Sequence, residues 1–184
     1  MQACPCRWFI PLLGLVLAGE ARGTDFVQAR IDGITNTGDA MAYVLPATAL
    51  GLTAYFKDGE GAWQFTESAT ITMAVTFGLK YTIQSRRPNG DPHSFPSGHA
   101  AITFCSAEFL RKRYGWKYGA PAYIFASFVA YSRVHAHEHY VQDVVAGAAI
   151  GIASTYLVTK PYHGWHVQPQ LGAKYRGLSV SRDF

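Results

Sequence analysis

Long apolar stretches alternate with short polar connectors along most of the chain. The stretches carry no charged residue, are rich in alanine, leucine, isoleucine and phenylalanine, and are bounded by glycine, proline and aspartate, which favour turns. This pattern predicts an all-α fold, a helical bundle of about five or six helices joined by short loops. The stretches cover residues 40–56, 68–79, 100–107, 118–132 and 144–159.

The lengths of these stretches leave two environments open for the bundle. They contain 8 to 17 residues, fewer than the roughly 20 that a straight bilayer-spanning helix needs. They are either core helices of a compact periplasmic bundle or short spans lengthened by their polar flanks. Ala40–Phe56 and Val144–Thr159 are the best candidates for membrane contact. Gly147 and Gly151, four positions apart, predict close helix packing in the last stretch,.

An N-terminal segment with the features of an export signal precedes the stretches. Arg7 is followed by an apolar run from Trp8 to Ala18 and then by small and polar residues, which is the order found in secretory signals. The apolar run is short for a bilayer anchor. We therefore predict a signal peptide over residues 1–23, cleaved between Ala18 and Thr24, and an exported protein that is periplasmic or membrane-associated.

Composition limits the class of partner. Hydrophobic residues make up 49% of the chain and charged residues 15%, yet the mean hydropathy of +0.02 is low for a chain mostly immersed in lipid. The net charge is +4, and the basic residues form no long stripe. We therefore expect no nucleic-acid partner. Cys105 is the one cysteine after the predicted signal, so we expect a small core residue and no internal disulfide.

The chain after the signal is long enough for one well-packed domain and too short for two. We predict that residues 24–162 form this helical domain. The composition then changes, because Trp165, Tyr175 and Phe184 are interspersed among glycine, glutamine, arginine and serine. Residues 163–184 are therefore predicted to be a C-terminal tail that is extended over the bundle, placed at a membrane interface through its aromatic residues, or partly disordered.

The first polar cluster places two cations beside a helix end. Lys80 follows an apolar stretch, and Arg87 comes seven residues later, directly before Pro88. That spacing is nearly two helical turns, so both side chains can project from one helix face before the proline ends the helical path. Converging cations suit a dianion, which arginine can bind through two oxygens. The alternative is a pair of solvated charges that complement the helix dipole.

A serine, a glycine and a histidine open the next apolar stretch. Ser97, Gly98 and His99 directly precede Ala100. At a helix start, free backbone N–H groups, a hydroxyl and the positive end of the helix favour an anion. His99 is then expected in the first turn beside that anion, where an imidazole can protonate a leaving oxygen. A capped helix with an incidental histidine is the alternative.

His139 and Asp143 stand four positions apart in the third cluster. On one helix they would share a face, where the carboxylate can accept the imidazole N–H and fix its tautomer. The opposite nitrogen would keep the lone pair that a nucleophile needs. Arg133, six residues before His139, supplies a third cation. For the histidine and aspartate alone, a hydrogen bond on the surface is the alternative.

Together the clusters resemble the three motifs of the type 2 phosphatidic acid phosphatase and vanadium haloperoxidase superfamily, in the same order. The resemblance implies a helical bundle whose active site is assembled at helix ends, and a phosphatase that requires no metal or other cofactor. A small chain with an export signal and apolar helices fits the phosphatase branch better than the vanadate-dependent haloperoxidase branch. The matching segments are Lys80-x6-Arg87-Pro88, Pro96-Ser97-Gly98-His99 and Ser132-Arg133-x5-His139-x3-Asp143.

The resemblance also implies a role for each residue of the three motifs. His139 is expected to attack phosphorus and form a phosphohistidine, while Asp143 orients its ring. His99 is expected to protonate the leaving group as a general acid. The groups expected to bind the phosphate oxygens are Lys80, Arg87, Ser97, the backbone N–H of Gly98, and Arg133.

The residues leave the substrate open. Apolar helices beside a basic site favour a phosphorylated lipid, either a monoester or a pyrophosphate, with a membrane as partner and the active site facing the periplasm. A soluble phosphoester, hydrolysed by a non-specific acid phosphatase of the periplasm, is the alternative. His135, His137 and His139 alternate in a spacing that can bind a transition metal in an extended segment,. Because the phosphatase interpretation already uses His139, we expect no metal site.

Overall fold

In the computed structural model of the chain, the backbone is described for residues 10–162, 165–172 and 175–182, and the side chains for residues 32–162. Five α-helices form the described bundle, and two short strands follow it. The predicted all-α bundle is confirmed. The elements are α1 (Ile10–Tyr55), α2 (Gly59–Ile83), α3 (Gly98–Tyr114), α4 (Trp116–His135), α5 (Val141–Val158), β1 (Trp165–Gly172) and β2 (Tyr175–Arg182).

The apolar stretches correspond to one helix each, apart from Phe56 and Thr159, which directly follow α1 and α5, and every helix begins before its stretch. α1 is continuous from Ile10 to Tyr55 and includes the region of the predicted cleavage site. Residues 1–9 lie outside the described backbone. The signal peptide over residues 1–23 and the domain boundary that follows it therefore stay predictions.

Local chemistry explains where the helices begin and end. Asp58 caps α2 by accepting a hydrogen bond from the backbone N–H of Gly61 at 2.8 Å. α2 ends because Gln84 adopts the left-handed conformation, with φ of 48°, a common helix terminator. Gly115, with φ of 91°, forms the break between α3 and α4, where any side chain would be strained.

α3 is the central helix of the bundle and packs against all four other helices. Ala100, Ala101, Cys105, Ala107 and Phe109 on this helix are all buried. Because most of these side chains are small, the neighbouring helices approach closely. The prediction that Cys105 is a core residue is confirmed.

α5 lies against α3 with almost no side chain between the two backbones. A Cβ atom on Gly147 would stand 2.4 Å from the carbonyl oxygen of Ser97. On Gly151 it would stand 2.2 Å from the carbonyl oxygen of Ala101. Carbon and oxygen atoms do not approach that closely, so only glycine permits this spacing. The predicted close packing is confirmed, and it brings the starts of α3 and α5 together.

A buried ion pair closes the opposite end of the bundle. Arg113, near the end of α3, contacts the Asp58 carboxylate through Nη2 at 2.5 Å and through Nε at 2.7 Å. The Tyr114 hydroxyl donates to the same carboxylate at 2.9 Å. Arg113 Nη1 donates to the carbonyl of Lys160 at 2.9 Å. These contacts tie together the start of α2, the end of α3 and the chain after α5.

β1 and β2 form an antiparallel hairpin within the predicted C-terminal tail. Trp165 pairs with Arg182 at one end of the hairpin, and Gly172 pairs with Tyr175 at the other. The backbone of residues 165–172 and 175–182 is extended, while the position of this tail over the bundle or at a membrane stays a prediction. The separation of this tail from the helical domain stays a prediction, and its side chains lie outside the described residues.

Candidate active site

The ends of four helices meet at one end of the bundle, and these ends or the loops beside them carry the residues of all three clusters. Lys80 lies in the last turn of α2, and His99 lies in the first turn of α3. Arg133 lies in the last turn of α4, and Asp143 lies in the first turn of α5. His139 stands in the short connection between these two helices. The expected assembly of the site at helix ends is present in the fold.

Arg87 is not on the helix that carries Lys80, so that part of the sequence prediction is wrong. α2 ends before Arg87, because the left-handed Gln84 turns the chain into a loop. Ser85 anchors this loop, since its carbonyl and hydroxyl oxygens accept backbone N–H groups from the far side of the loop at 2.9 and 2.8 Å. Lys80 and Arg87 nevertheless line the same cavity. They reach it from a helix and a loop rather than from one helix face.

Both cations have polar partners in the protein. Lys80 Nζ donates to the carbonyl of His93 at 2.9 Å, and Arg87 Nη1 pairs with the carboxylate of Glu138. The Nε atom of Arg87 is buried and has no hydrogen-bond partner among the described residues. A buried donor without a partner costs about 1–3 kcal/mol. An anion bound beside Arg87 would recover that free energy.

The start of α3 has the form that the sequence predicts. Ser97 is the buried N-cap, and its hydroxyl oxygen is 3.5 Å from the backbone nitrogen of Ala100. The backbone N–H of Ser97 donates to the carbonyl of Asp143 at 2.9 Å, which links the starts of α3 and α5. Gly98 lines the cavity, and a Cβ atom there would meet only Thr76, at 4.0 Å. The helix start therefore leaves space for a ligand beside Gly98.

His139 and Asp143 are neighbours, but they do not share a helix face as the sequence predicts. Tyr140 is the N-cap of α5, so His139 precedes the helix and Asp143 lies in its first turn. Nδ1 of His139 is 3.8 Å from Oδ2 of Asp143, which is too long for a hydrogen bond. That oxygen instead accepts from the backbone N–H of Tyr140 at 3.0 Å and from the hydroxyl of Ser94. The carboxylate is held by these neighbours and acts on His139 through its charge.

The surroundings of His139 favour its neutral form. Burial, together with the cationic side chains of Lys80 and Arg87, lowers the pKa of His139 to about 4, although the Asp143 carboxylate opposes this shift. At neutral pH one ring nitrogen therefore keeps its lone pair. Within residues 32–162, Nδ1 of this ring has no hydrogen-bond partner. A neutral, buried imidazole beside cations has the properties of a nucleophile for an anionic substrate.

A carboxylate outside the three clusters also belongs to the site. Oδ1 of Asp39, on α1, is 3.2 Å from Nε2 of His99 and 2.5 Å from Nη1 of Arg133. Arg133 is only 4% exposed, and its Nη2 donates to the carbonyl of Thr35 on α1 at 2.8 Å. Sequence reasoning missed Asp39 because 94 positions separate it from Arg133. The available signal was a lone carboxylate at the edge of a charge-free stretch.

His99 lies between groups of opposite charge. Burial and the guanidinium of Arg133 lower the pKa of His99, and Arg87 acts in the same direction. Asp39 and Glu138 oppose the shift. The protonated form of His99 therefore depends on the carboxylates around it.

A cavity of about 610 Å³ opens beside these residues and has both polar and apolar walls. Its polar lining consists of Lys80, Arg87, Gly98, His99 and His139. Its apolar lining comes from α1, α2 and α3, and consists of Ala42, Tyr43, Pro46, Met73, Phe77 and Ile102. Such a cavity can hold a molecule with an anionic head and an apolar body.

The alternating histidines do not form one ligand set. Within residues 32–162, no three histidine, cysteine, aspartate or glutamate side chains are arranged to hold a metal ion. The His135 ring stacks on Tyr131 with 5.4 Å between ring centroids. His137 is exposed and has a φ of 55°. The metal-binding alternative for this segment therefore has no support in the described geometry.

A helical bundle with cations, two histidines and a helix start around one cavity defines a class of phosphate-handling protein. The chain belongs to the PAP2 superfamily, which it matches over residues 61–166. The matched residues include all three clusters, α3, α4, α5 and α2 from its third residue onward. Asp39 and the rest of α1 lie outside them.

Three relatives of known activity are similar to the chain. It is 28% identical over 156 residues to the lipid A 4'-phosphatase of Helicobacter pylori, covering 77% of this chain and 78% of that protein. It is 34% identical over 139 residues to the lipid A 1-phosphatase of Porphyromonas gingivalis, covering 71% of this chain and 30% of that longer protein. It is 31% identical over 153 residues to phosphatidylglycerophosphatase B of Bacillus subtilis, covering 68% of this chain and 70% of that protein.

Two solved structures share the fold. The crystal structure of Aquifex aeolicus LpxE aligns with a TM-score of 0.57 at 22% identity, over 67% of this chain and 84% of that chain. A transmembrane PAP2-type phosphatidylglycerolphosphate phosphatase from Bacillus subtilis aligns with a TM-score of 0.57 at 24% identity, over 72% of this chain and 75% of that chain. At these identities the similarity concerns the fold.

Proposed function

We propose that this protein is a lipid-phosphate phosphatase that hydrolyses a phosphomonoester or pyrophosphate through a phosphohistidine intermediate, without a metal ion. The observation that carries the proposal is the cavity of about 610 Å³, whose lining combines two histidines and two cations with apolar side chains. Such a lining suits an amphiphile with a phosphate head. The similarity to two lipid A phosphatases and a phosphatidylglycerophosphatase supports this class of substrate.

His139 is the proposed nucleophile. Its neutral ring attacks phosphorus through Nε2, the nitrogen farther from Asp143, while the bond from phosphorus to the lipid oxygen breaks. The ring becomes cationic in the phosphohistidine, and the Asp143 carboxylate, 3.8 Å from Nδ1, stabilises that charge. His99 gives its proton to the lipid oxygen, so that an alcohol leaves rather than an alkoxide.

Water completes the proposed cycle. The now neutral His99 takes a proton from a water molecule as its oxygen attacks phosphorus and the phosphorus–nitrogen bond breaks. Inorganic phosphate leaves, and the recovered proton restores His99 as the acid for the next turnover. The covalent intermediate divides one difficult displacement into two easier ones.

The phosphate oxygens are proposed to be bound by side chains and by the start of α3. Lys80, Arg87 and Gly98 line the cavity. Ser97 caps α3 and presents the Gly98 N–H and its own hydroxyl. Arg133 has five N–H donors, of which its contacts with α1 and Ser132 use only part. Removing one such donor from a transition state typically costs about 10²- to 10³-fold in rate.

The apolar part of the cavity continues along α2, which supports a lipid substrate. A groove of about 550 Å³ shares Met73 and Phe77 with the cavity and extends to Phe65 and Leu50. Phe65 and Phe77 are 12 positions apart on one helix, a distance of about 18 Å. We propose that acyl chains of the substrate lie in this groove between α1 and α2.

Large apolar side chains are exposed on the outside of the bundle, which supports contact with a membrane. Ile124, Val145 and Leu157 are 70%, 61% and 83% exposed. Among the described helices, α5 is long and apolar enough to cross a bilayer, a criterion that core helices of soluble proteins also meet. Exposed apolar surface of this kind marks contacts with lipid or protein. We propose membrane association, with the active site facing the periplasm in accordance with the predicted export signal.

Exposed aromatic residues near both ends of the helices support the same proposal. Tyrosine and tryptophan favour the level of lipid headgroups. With this apolar surface between two aromatic levels, His99 and His139 would lie at one polar boundary, outside the apolar band. Among the described residues, the exposed tyrosines and tryptophans are Tyr43, Tyr81, Tyr131 and Tyr140 near the site, and Tyr55, Trp63, Trp116 and Tyr156 near the opposite end.

A phosphate-release panel tests the substrate class. The purified full chain is offered dioctanoyl phosphatidic acid, phosphatidylglycerol phosphate, a lipid A preparation and isoprenyl pyrophosphate, beside water-soluble phosphomonoesters, with and without EDTA. We expect phosphate to be released faster from the lipid phosphates than from the soluble esters. The rate should be unchanged by EDTA and inhibited by vanadate. Preference for soluble esters would favour the non-specific acid phosphatase. Bromide oxidation with vanadate and peroxide would favour the haloperoxidase branch.

Trapping the intermediate tests the mechanism. Acid-labile, alkali-stable labelling of the protein by radioactive lipid phosphate is expected for a phosphohistidine, and it should be absent in His139→Ala. We expect His139→Ala to abolish turnover and His99→Ala nearly to abolish it. Normal hydrolysis by purified His139→Ala would refute the assignment of the nucleophile.

A further inference from the structure

The Asp39 carboxylate connects the proposed general acid to a buried arginine through a single oxygen. Oδ1 stands 3.2 Å from Nε2 of His99 and 2.5 Å from Nη1 of Arg133. Asp39 is 42% exposed, whereas Arg133 is 4% exposed. The three side chains come from α1, α3 and α4, so the contact joins three helices at the site.

We propose that Asp39 is a positioning residue for the hydrolysis, which orients the imidazole of His99 and keeps it in its proton-donating form. This inference rests on the proposed function, because it assigns a task to Asp39 in the same reaction. Asp39 lies outside the residues that match the superfamily, 61–166. Its role therefore follows from its contacts in this chain.

The position of Asp39 separates it from the groups that touch substrate. The cavity is lined on α1 by Ala42, Tyr43 and Pro46, which follow Asp39 by about one to two helical turns, and Asp39 itself is not among the lining residues,. Asp39 acts through His99 rather than on the phosphate. A carboxylate among the lining groups would instead repel the substrate dianion.

The charges around His99 explain why a carboxylate is needed. A protonated His99 adds a positive charge to a site that already contains cations, which disfavours protonation. Asp39 reduces this effect because it contacts both His99 and Arg133, and it counters the downward shift in the pKa of His99. The charged or titratable groups that face His99 or share its cavity are Arg133, Asp39, Arg87, Glu138, Lys80, His139 and Tyr43.

The contact also assigns the two ring nitrogens. In the imidazolium form of His99, both nitrogens carry a hydrogen. Nε2 is the nitrogen that stands 3.2 Å from the Asp39 carboxylate, so we assign the Nδ1–H as the proton transferred to the lipid oxygen as the phosphorus–oxygen bond breaks. His99 is then neutral, with its remaining hydrogen on Nε2 and its lone pair on Nδ1, ready to accept a proton from water.

The experiment compares two substrates that differ in their need for an acid. An alkyl leaving group, as in dioctanoyl phosphatidic acid, requires protonation, whereas the nitrophenolate of p-nitrophenyl phosphate leaves without it. Asp39→Asn keeps the shape and removes the charge. We expect kcat to fall about 10- to 100-fold for phosphatidic acid and less than about 3-fold for p-nitrophenyl phosphate. KM should change little, since Asp39 does not touch the phosphate.

The pH profile gives a second readout. Removing the Asp39 charge lowers the pKa of His99, so the alkaline limb of kcat should move to lower pH in Asp39→Asn. Asp39→Glu, which keeps the charge, should restore the position of that limb. Glu67→Gln is the control, because it makes the same chemical change at an exposed carboxylate on α2. This variant should leave kcat for both substrates and the pH profile unchanged.

Three results would overturn the inference. One is an unchanged kcat and alkaline limb in Asp39→Asn. Another is an equal fall in kcat for both substrates together with a lowered melting temperature, which would show that Asp39 stabilises the fold rather than His99. The third is a lower KM at constant kcat, which would make Asp39 a competitor of the phosphate. If Asp39→Asn does not fold, Asp39→Ser undergoes the same comparison. Failure of the wild-type protein to hydrolyse either substrate would instead refute the proposed function.

Discussion

His139 Nδ1 and Asp143 Oδ2 stand 3.8 Å apart, a separation at which the carboxylate acts by charge rather than through a hydrogen bond. The Asp143 carboxylate is held by the Ser94 hydroxyl and by the backbone N–H of Tyr140. Ser94 therefore determines where a negative charge lies beside the proposed nucleophile, although it belongs to none of the three sequence motifs.

Replacing Ser94 should weaken catalysis without removing any motif residue. In Ser94→Ala the carboxylate loses a charge-assisted hydrogen bond, typically worth about 1.5–3 kcal/mol, and can turn away from His139. We expect kcat for phosphatidic acid to fall about 10-fold or more. Ser106→Ala is the matched control, since it removes another buried hydroxyl that bonds only within α3. An equal fall in kcat in both variants would argue against a specific role for Ser94.

The acid limb of the pH profile should report His139. Its pKa is lowered to about 4, so the neutral nucleophile is fully present well above this pH and is lost as the pH falls through it. Lys80 is one cause of the lowered pKa. Lys80→Met should therefore raise the pKa of His139 and move the acid limb of kcat/KM to higher pH.

This shift is measured with p-nitrophenyl phosphate from about pH 3 to pH 8, after correction for the ionisation of the substrate. The position of the limb is the readout, because loss of Lys80 also weakens binding at every pH. Lys57→Met, at an exposed lysine between α1 and α2, should leave the limb in place. An acid limb that does not move in Lys80→Met would contradict the assignment.

Gly98→Ala should separate binding from stability. A Cβ atom at this position meets only Thr76, at 4.0 Å, so the protein itself accommodates the methyl group. Gly98 lines the cavity, where the methyl group would crowd a bound phosphate. We expect an unchanged melting temperature and a loss in kcat/KM of about 10-fold or more. A lowered melting temperature with normal kcat/KM would show that the glycine is needed for folding instead.

Gly151→Ala should destabilise the bundle. Its Cβ atom would stand 2.2 Å from the carbonyl oxygen of Ala101, so α3 and α5 would have to separate, at a cost of about 1–3 kcal/mol or more. Gly78→Ala is the matched control, because a Cβ atom at Gly78 on α2 meets nothing within 4 Å. That variant should gain about 0.5–1 kcal/mol. Denaturant unfolding of both variants measures the difference.

Asp58→Asn should lower stability without changing the chemistry. It leaves Arg113 buried without its anionic partner, and breaking a buried ion pair costs about 3–5 kcal/mol. The pair closes the end of the bundle opposite the site. We therefore expect a lower melting temperature with kcat unchanged at temperatures where the protein stays folded. A fall in kcat of the folded variant would mean that the two ends are coupled.

The sequence predicted the helices and the start of α3 well, because both depend on local information. Charge-free stretches correspond to the helices of the bundle, and Ser97 followed by Gly98 is a recognisable helix start. The path of the chain after a helix was harder to predict. Arg87 lies in a loop because Gln84 adopts a left-handed conformation, which no residue near it requires. His139 precedes α5, because the helix begins at Val141, two residues after it.

Asp39 could not be found from the sequence because its partners are distant in the chain. The contact with Arg133 forms only when α1 lies beside α4. Gly38 permits that approach, since a Cβ atom there would stand 2.0 Å from the Ser132 hydroxyl oxygen. A glycine followed by an aspartate is common in any sequence. Only the assembled bundle brings this pair beside Ser132 and Arg133.

The contact of α3 and α5 through Gly147 and Gly151 fixes the spacing of two helix starts, whereas the side chains that line the cavity can vary. The separation between the start of α3, proposed to bind phosphate, and Asp143 is determined by backbone atoms, so it does not depend on which side chains line the cavity. The walls that meet the apolar part of a substrate come largely from α1 and α2, through Ala42, Met73 and Phe77. Substitutions there can alter which lipid is accepted while the reacting groups keep their positions. The fold therefore allows new substrate preferences to evolve without rebuilding the chemistry.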